Sequence, residues 1–341
     1  MIDRYTLRES RSILKRYGYP SINVANTDYN RRELLTIGQY QPDNTNSGPL
    51  SDVARTVVSR NYFLTTPGTV LENLDIYGTV DFQAANIKLK NCIVRGTTTA
   101  PSSERGLVMS TNAAAVNCVI EDCLLQPQVP HYKWNGITGH DYTAKRVITR
   151  NTTDGFGVFN TSNPGGPLNV NILGSWVDKM VYWLNDDGIH TDGTHNDAIQ
   201  IQGGTGAVII GNRLDAYLNR NFGDGRAQYI TDQYASRNND HALSVLMVNN
   251  NNGVGPTSGI TFTDNFLRGG DIGVNAGSSR LAGFDLGVFL RNKFAKDARL
   301  MQAGAPLSLN FNSTAVVNVG AGTADRNTYI EDGSEVLLVR N

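Results

Sequence analysis

The chain has 341 residues, with 30 Lys and Arg, 31 Asp and Glu and a formal net charge of -1. Charges of both signs are dispersed, so no basic stripe indicates nucleic acid or an anionic membrane as a partner. The 35 glycines occur without the Leu, Ala, Glu and Lys excess of helical proteins, which favours a β-rich chain.

The N-terminal region lacks the apolar core of a secretory signal peptide, and no run of about 18 apolar residues predicts a membrane span. The sequence therefore predicts synthesis in a cytoplasm, no export by a signal peptide and no membrane insertion. Residues 6–17 predict a short amphipathic helix, and the residues that follow are polar and rich in turn formers. We interpret residues 1–60 as a region that either caps a solenoid or attaches it to a partner.

A short phrase recurs along the chain, in which Asn or Asp is followed by any residue and then by an apolar one. Its shorter spacings are roughly 24 to 31 residues, and short alternating strands precede several copies, as in a solenoid. The phrase stands at residues 91–93, 122–124, 212–214, 265–267 and 292–294, with a looser match at 175–177.

The content of each repeat predicts an all-β fold, a single-stranded right-handed parallel β-helix with a short N-terminal helical or irregular adaptor. Short β-branched strands between Gly, Asn and Asp exclude helical and leucine-rich repeats, and parallel crossovers are nearly always right-handed. We place the β-helix at residues 61–310 and the C-terminal strands or cap at residues 311–341. We expect each recurring Asn to adopt a left-handed backbone conformation and to stack its amide on the next coil.

The three cysteines are Cys92, Cys118 and Cys123. Cys92 and Cys123 hold the same place in successive phrases, so we expect them to stack as small buried side chains. A disulfide or a metal site is the alternative, but no CxxC or HExxH spacing is present.

Three segments interrupt the repeats. Residues 131–142 predict an inserted loop in which aromatic side chains such as Trp134 either stack on sugar rings or pack on the wall of the solenoid. Residues 217–240 and 249–257 predict further loops, suited to ligand binding or to contacts between subunits.

The segment at residues 190–204, HTDGTHNDAIQIQGG, concentrates polar side chains around one alternating strand. Its alternation predicts an inner face and an outer face, with the isoleucines inside and Gln200 and Gln202 outside. The same alternation would place Asp197 inside, unless the chain bends before Ala198. We expect this bend, because burying an unpaired carboxylate is costly.

This strand, the Asn-terminated coils and the N-terminal adaptor together resemble the β-helical minor tail proteins of phages that infect actinobacteria. They resemble the pectate-lyase-like β-helix superfamily more distantly. The resemblance covers about residues 60–310 at the level of the fold, but only residues 190–204 are specific. It implies a virion component near the tail tip, often trimeric, that touches the host envelope, and it does not by itself imply an enzyme.

The same segment is also partly similar to the polygalacturonase pattern of two acidic elements on adjacent coils. Here the two elements lie only a few residues apart, and the Arg-x-Lys element of that family is missing. If the chain is an enzyme, the candidate acids and bases are Asp192 and Asp197, with His190 or His195 tuning one of them. Lyase chemistry would need a cation, for which Arg150 and Arg213 are the candidates.

Asp154 and His241 stand at places analogous to Asp197, so the three predict a column along one groove. The alternative is that Asp and His at strand starts close turns or cap backbone N–H groups. The candidate carbohydrate-binding residues are Gln200, Gln202, Asp154, His241 and Trp134. We expect no metal and no cofactor, leaving open a divalent cation at Asp186 and Asp187.

The sequence therefore predicts a phage minor tail protein, located in the virion, that contacts host cell-envelope polysaccharide. The alternative is a polysaccharide depolymerase, either a glycoside hydrolase or a lyase. The expected partners are other tail proteins through the N-terminal region, the host polysaccharide and two further copies in a homotrimer.

Overall fold

A computed structural model describes residues 32–188, 190, 193–223, 241–250, 254–297 and 309–340. These residues are almost entirely β, with one helical turn at residues 32–35 and two short 3-10 turns at Ser279–Leu281 and Thr323–Asp325. The all-β prediction is confirmed. Among the described residues, no helix has both the length and the apolar character needed to cross a bilayer.

Three parallel sheets contain nearly all of the strands, and consecutive strands enter sheets 1, 2 and 3 in turn. Sheet 1 contains β1 (Thr56–Val58), β4 (Leu74–Ile76), β7 (Ile93–Val94), β10 (Leu124–Leu125), β13 (Ile148–Thr152), β16 (Trp176–Tyr182), β20 (Arg213–Gly223), β24 (Phe266–Gly269), β27 (Lys293–Phe294) and β30 (Thr328–Tyr329). Sheet 2 contains β2 (Tyr62–Leu64), β5 (Val80–Phe82), β8 (Arg105–Ser110), β11 (Trp134–Gly139), β14 (Phe156–Val158), β17 (Asp197–Gln202), β21 (Ser244–Asn249), β25 (Ile272–Ala276), β28 (Leu309–Phe311) and β31 (Leu338–Arg340). Sheet 3 contains β3 (Val70–Glu72), β6 (Lys88–Lys90), β9 (Cys118–Glu121), β12 (Tyr142–Lys145), β15 (Asn171–Leu173), β19 (Val208–Ile210), β23 (Ile260–Thr263), β26 (Asp285–Leu290) and β29 (Val316–Asn318).

Each coil of the chain contributes one strand to each sheet, and that strand pairs in parallel with its equivalents in the preceding and following coils. For example, β11 pairs with β8 on one side and with β14 on the other. Two further short strands, β18 (Gly204–Thr205) and β22 (Thr257–Ser258), pair outside the three sheets. Residues 311–340 continue the same three sheets.

At the corner before sheet 1, two adjacent positions share the two roles that the sequence predicted for a single recurring Asn, the left-handed turn and the stacked side chain. The first position has a positive φ in nearly every coil, and the second, one residue later, faces the interior. The first column is Asn73, Asn91, Asp122, Arg146, Gly174, Gly211, Asp264 and Arg291. The second is Cys92, Cys123, Val147, Ser175, Asn212, Asn265, Asn292 and Asn327.

The expected stacking of asparagine amides is present in two forms. The left-handed Asn91 donates its amide to the left-handed Asn73 at 2.6 Å, as predicted, whereas from Asn212 onwards the buried asparagines that stack are not the left-handed residues. The Asn265 Oδ1 accepts hydrogen bonds from the backbone N–H and the side-chain amide of Asn212, at 3.0 and 2.9 Å. The Asn265 amide donates to Asn292 at 3.0 Å and to the Ile209 carbonyl at 3.1 Å. The left-handed conformation belongs to the residue before each of them, because the chain turns there.

Cys92 and Cys123 occupy this inner column in adjacent coils, as predicted. Both are buried and unpaired, as is Cys118. Since Ile93 is in register with Leu124, the two thiols stack where later coils place asparagine.

Residues 32–50, which we call the N-terminal strap, lie along the corner of the coils. Arg32 forms an ion pair with Asp122 at 2.7 Å, and Glu33 forms one with the buried Arg146 at 2.9 Å. The predicted amphipathic helix at residues 6–17 lies outside the described residues.

Candidate functional site

A groove with a volume of about 870 Å³ lies over the outer face of sheet 2. It crosses six consecutive strands, β8, β11, β14, β17, β21 and β25. Parallel strands are about 4.8 Å apart, so the groove is roughly 24 Å long. This length suits an extended chain better than a small molecule.

The floor of the groove is a row of outward side chains in register across the sheet. The row consists of Met109, Thr138, Gly157, Gln200, Met247 and Asn275. Gln200 and Gln202 face the groove, as the alternation predicted, while Ile199 and Ile201 are fully buried in the core. The floor therefore combines neutral hydrogen-bonding groups with thioether and backbone surface.

A bend is present, but it lies one residue later than predicted, between Ala198 and Ile199. Both residues point into the core, so Ala198 is not on the outer face. The same bend recurs one coil earlier, where Gly155 precedes the core residue Phe156. A Cβ at Gly155 would lie 2.5 Å from the Ala198 carbonyl oxygen and 2.6 Å from a methyl group of Val177. Close packing of sheets 1 and 2 thus requires a small residue at the bend, and the bend turns the residue before it towards the groove.

The bend turns Asp154 and Asp197 towards the groove, where they lie next to each other on adjacent coils. Both line the groove and are at most 3% exposed. The Asp154 Oδ1 accepts a hydrogen bond from the Asp197 backbone N–H at 2.9 Å. In the same way, the Asn135 Oδ1 accepts a hydrogen bond from the Asp154 backbone N–H at 3.0 Å. Since Asp154 accepts the Asp197 N–H, it also caps a backbone group, which is the alternative role predicted for it.

The Asp197 carboxyl oxygens accept few hydrogen bonds. Its Oδ1 is buried without a hydrogen-bond partner among the described residues, and its Oδ2 receives a 3.4 Å contact from the Gln200 amide. Burial raises the pKa of Asp197 to about 7, although Ser244 and Gln200 oppose the shift. Burial and the nearby Asp197 and Glu104 raise the pKa of Asp154 well above its usual range.

One wall of the groove carries imidazole and aromatic groups. His190 and His195 stack with ring centroids 3.9 Å apart, and the His190 Nδ1 lies 2.6 Å from the buried carboxylate of Asp186. Tyr132 lies at the rim and packs on Trp183 with ring centroids 6.3 Å apart. The opposite wall is formed by Phe159, Thr161 and Val254.

The predicted column of Asp154, Asp197 and His241 is correct for the first two residues and wrong for the third. The residue in register with Asp197 on the next coil is Ser244. His241 lies three residues earlier, is buried, and bridges to Tyr217 outside the groove. Residues 217–223, predicted to belong to a loop, form the end of β20 instead, and residues 224–240 lie outside the described residues.

Trp134 is not an exposed aromatic residue. It begins β11 and is 1% exposed within the core, so its ring is not available to stack on a sugar. The segment at 131–142 is largely regular strand, and Tyr142 begins β12 in the core. Asp192 lies outside the described residues, so the pairing of Asp192 with Asp197 stays a prediction.

The candidate cations for lyase chemistry lie away from the groove. Arg150 and Arg213 pair with Asp178 and Asp215 on the outer face of sheet 1 and flank the ring of Trp176. Neither lines the groove.

The suggested cation site at Asp186 and Asp187 has carboxylates that bind protein groups instead. Asp186 contacts His190, and Asp187 forms an ion pair with Lys133 at 2.8 Å. The described part of the chain contains no cluster of three or more His, Cys, Asp or Glu side chains placed to hold a metal ion.

Several groove residues were not predicted from the sequence, notably Tyr132, Gly157 and the two methionines of the floor. Tyr132 precedes the predicted Trp134 by two residues, so this aromatic segment does place a ring at the groove, but not the predicted one. Comparison of the chain with protein-family models, with curated proteins and with solved structures gave no match.

Proposed function

We propose that this chain is a right-handed parallel β-helix that binds an extended polysaccharide in the groove over sheet 2. The observation that carries the proposal is the groove floor, a row that crosses six coils of a rigid parallel sheet and contains the neutral polar side chains of Thr138, Gln200 and Asn275. Hydroxyl and amide groups match the hydroxyls of a glycan, and the Tyr132 ring adds an aromatic group to the rim of the groove. The right-handed sense rests on the general preference of parallel crossovers.

The biological setting we propose is a phage tail, where the chain contacts the cell-envelope polysaccharide of the host. The support is the resemblance of residues 190–204 and of the coils to β-helical minor tail proteins. A homotrimer attached through the N-terminal region to other tail proteins completes this proposal.

A second candidate function is hydrolysis of the bound glycan, favoured by the buried and unpartnered Asp197 Oδ1 in the groove. Glycoside hydrolysis needs a group that donates a proton to the glycosidic oxygen as the C–O bond breaks. It also needs an acceptor for the proton of the water that adds to the anomeric carbon. We assign the donor to Asp197, because burial keeps it protonated near neutral pH, and the acceptor to the imidazole of His195.

The test incubates the purified full chain with polysaccharide extracted from actinobacterial cell envelopes. Co-sedimentation measures binding, and new reducing ends measure cleavage. Gln200→Ala with Gln202→Ala should weaken binding, whereas Asn310→Ala, which lies in the same row beyond the groove, should not. Equal binding by both variants would contradict the proposed site.

Cleavage is decided separately. Reducing ends that appear with the wild-type chain without unsaturated ends, and that vanish with Asp197→Asn, would establish the hydrolase. Binding without new ends would leave the chain a receptor-binding protein. New unsaturated ends would instead indicate a lyase.

A further inference from the structure

Gly157 is a gap in the floor of the groove. It is the central residue of β14, and it lies in register with Thr138 on one side and Gln200 on the other. Every other residue of the six-strand row has a side chain: Met109, Thr138, Gln200, Met247 and Asn275.

The fold does not require glycine at this position. Gly157 is not among the glycines with a positive φ. A Cβ added to it would lie 3.4 Å from the nearest atom, a methyl carbon of Thr138, and 3.7 Å from the Phe159 ring, which are ordinary contacts. Gly155, two residues earlier, is the opposite case, because its Cβ would overlap the backbone of the next coil at 2.5 Å.

A glycine in the middle of a strand weakens the strand, since it has more conformational freedom to lose and no side chain to pack. Where packing does not demand it, such a glycine often marks the close approach of a ligand. The space above Gly157 opens directly beside Gln200, whose amide contacts the Asp197 carboxyl.

We propose that Gly157 is the specificity-determining floor of a subsite that seats one sugar ring of the glycan against the backbone of β14. This inference rests on the proposed polysaccharide binding and deepens it. The Thr138 side chain, with its methyl group nearest, and the Gln200 side chain lie on either side of the ring, and the Gln200 amide offers a neutral hydrogen-bonding group for its hydroxyls. The seated ring lies beside Asp197, so the subsite also determines which glycosidic bond faces that carboxyl.

The experiment compares Gly157→Ala and Gly157→Leu with the wild-type chain, using the actinobacterial envelope polysaccharide as the probe. A methyl group in a ligand subsite should weaken binding by about tenfold, and the larger side chain by about a hundredfold or more. The melting temperature of Gly157→Ala should stay the same or rise, because alanine is compatible with the backbone of the strand.

Two controls separate a ligand role from a structural one. Asn310→Leu adds bulk to the same outward row beyond the groove and should leave binding unchanged. Gly155→Ala should lower the melting temperature, as expected of a glycine that packing requires.

Each outcome is decisive. Wild-type affinity in both Gly157 variants, or a lowered melting temperature in Gly157→Ala, would overturn the subsite while leaving the polysaccharide site intact. Failure of the folded wild-type chain to bind the polysaccharide would overturn the proposed function, and the subsite with it.

Discussion

The buried carboxyl of Asp197 should make the stability of the protein depend on pH in an unusual direction. Its pKa is raised to about 7 in the folded chain, whereas aspartate in an unfolded chain has a pKa of about 3.9. Between these values the folded chain holds a proton that the unfolded chain has released. The free energy of unfolding therefore falls as pH rises, the reverse of what an ion-paired aspartate produces.

The size of the effect follows from the same two values. Each pH unit over which the folded chain keeps the extra proton lowers the free energy of unfolding by about 1.4 kcal/mol. The total decrease between about pH 4 and about pH 7 is therefore about 4 kcal/mol. Asp154 adds to the loss with the same sign, because its pKa is also raised. Below about pH 4 both states are protonated, and the full stability is present.

The assay is urea denaturation of the wild-type chain and of Asp197→Asn at several values between about pH 4 and about pH 8. The asparagine mimics the protonated carboxyl, so the two chains should have similar stability at the acidic end. The variant should become the more stable by up to about 4 kcal/mol as the pH rises.

The reasoning about burial would be refuted by a constant difference between the two chains over the whole range. Such a result would mean that Asp197 releases its proton at its ordinary pKa. A wild-type chain that gains stability relative to the variant as pH rises would show the opposite sign and refute it more directly.

Two further predictions concern the coils that hold the groove. Asn265→Ala removes four buried hydrogen bonds and leaves the backbone N–H and one side-chain N–H of Asn212 without their acceptor. The free energy of unfolding, measured in urea, should therefore fall by about 3–5 kcal/mol, and a loss below about 1 kcal/mol would contradict the stabilising role of the asparagine ladder. Arg146→Met leaves three carboxylates of the corner network without their buried guanidinium and should cost about 3–5 kcal/mol in the same assay. Arg326→Met is the control, because it breaks only an exposed ion pair with Glu335 and should cost less than about 1 kcal/mol. Equal losses of stability in the two arginine variants would contradict the argument that burial makes the Arg146 network costly to break.

Much of the fold was available from local sequence. The recurrence of Asn and Cys predicted parallel coils. The alternation predicted the short strands and their two faces, because side-chain direction within a strand follows a period of two. The outward direction of Gln200 and Gln202 followed from that period, and the stacking of Cys92 on Cys123 followed from their equal place in successive repeats. The corner was less well predicted, since Asn is favoured both at a left-handed turn and in a buried amide ladder, and the sequence does not say which role each Asn takes.

The sequence by itself determined which residues of a strand share a face, while the tertiary structure decided which strands lie side by side. The coils differ in length, so the neighbour of Asp197 cannot be counted along the chain; it is Asp154, 43 residues away, whereas His241 lies outside the groove. The burial of Trp134 and the gap at Gly157 likewise depend on the adjacent coils. The physical reason is that alternation is a local property of the backbone, whereas register between coils is set by packing and hydrogen bonding across the sheets.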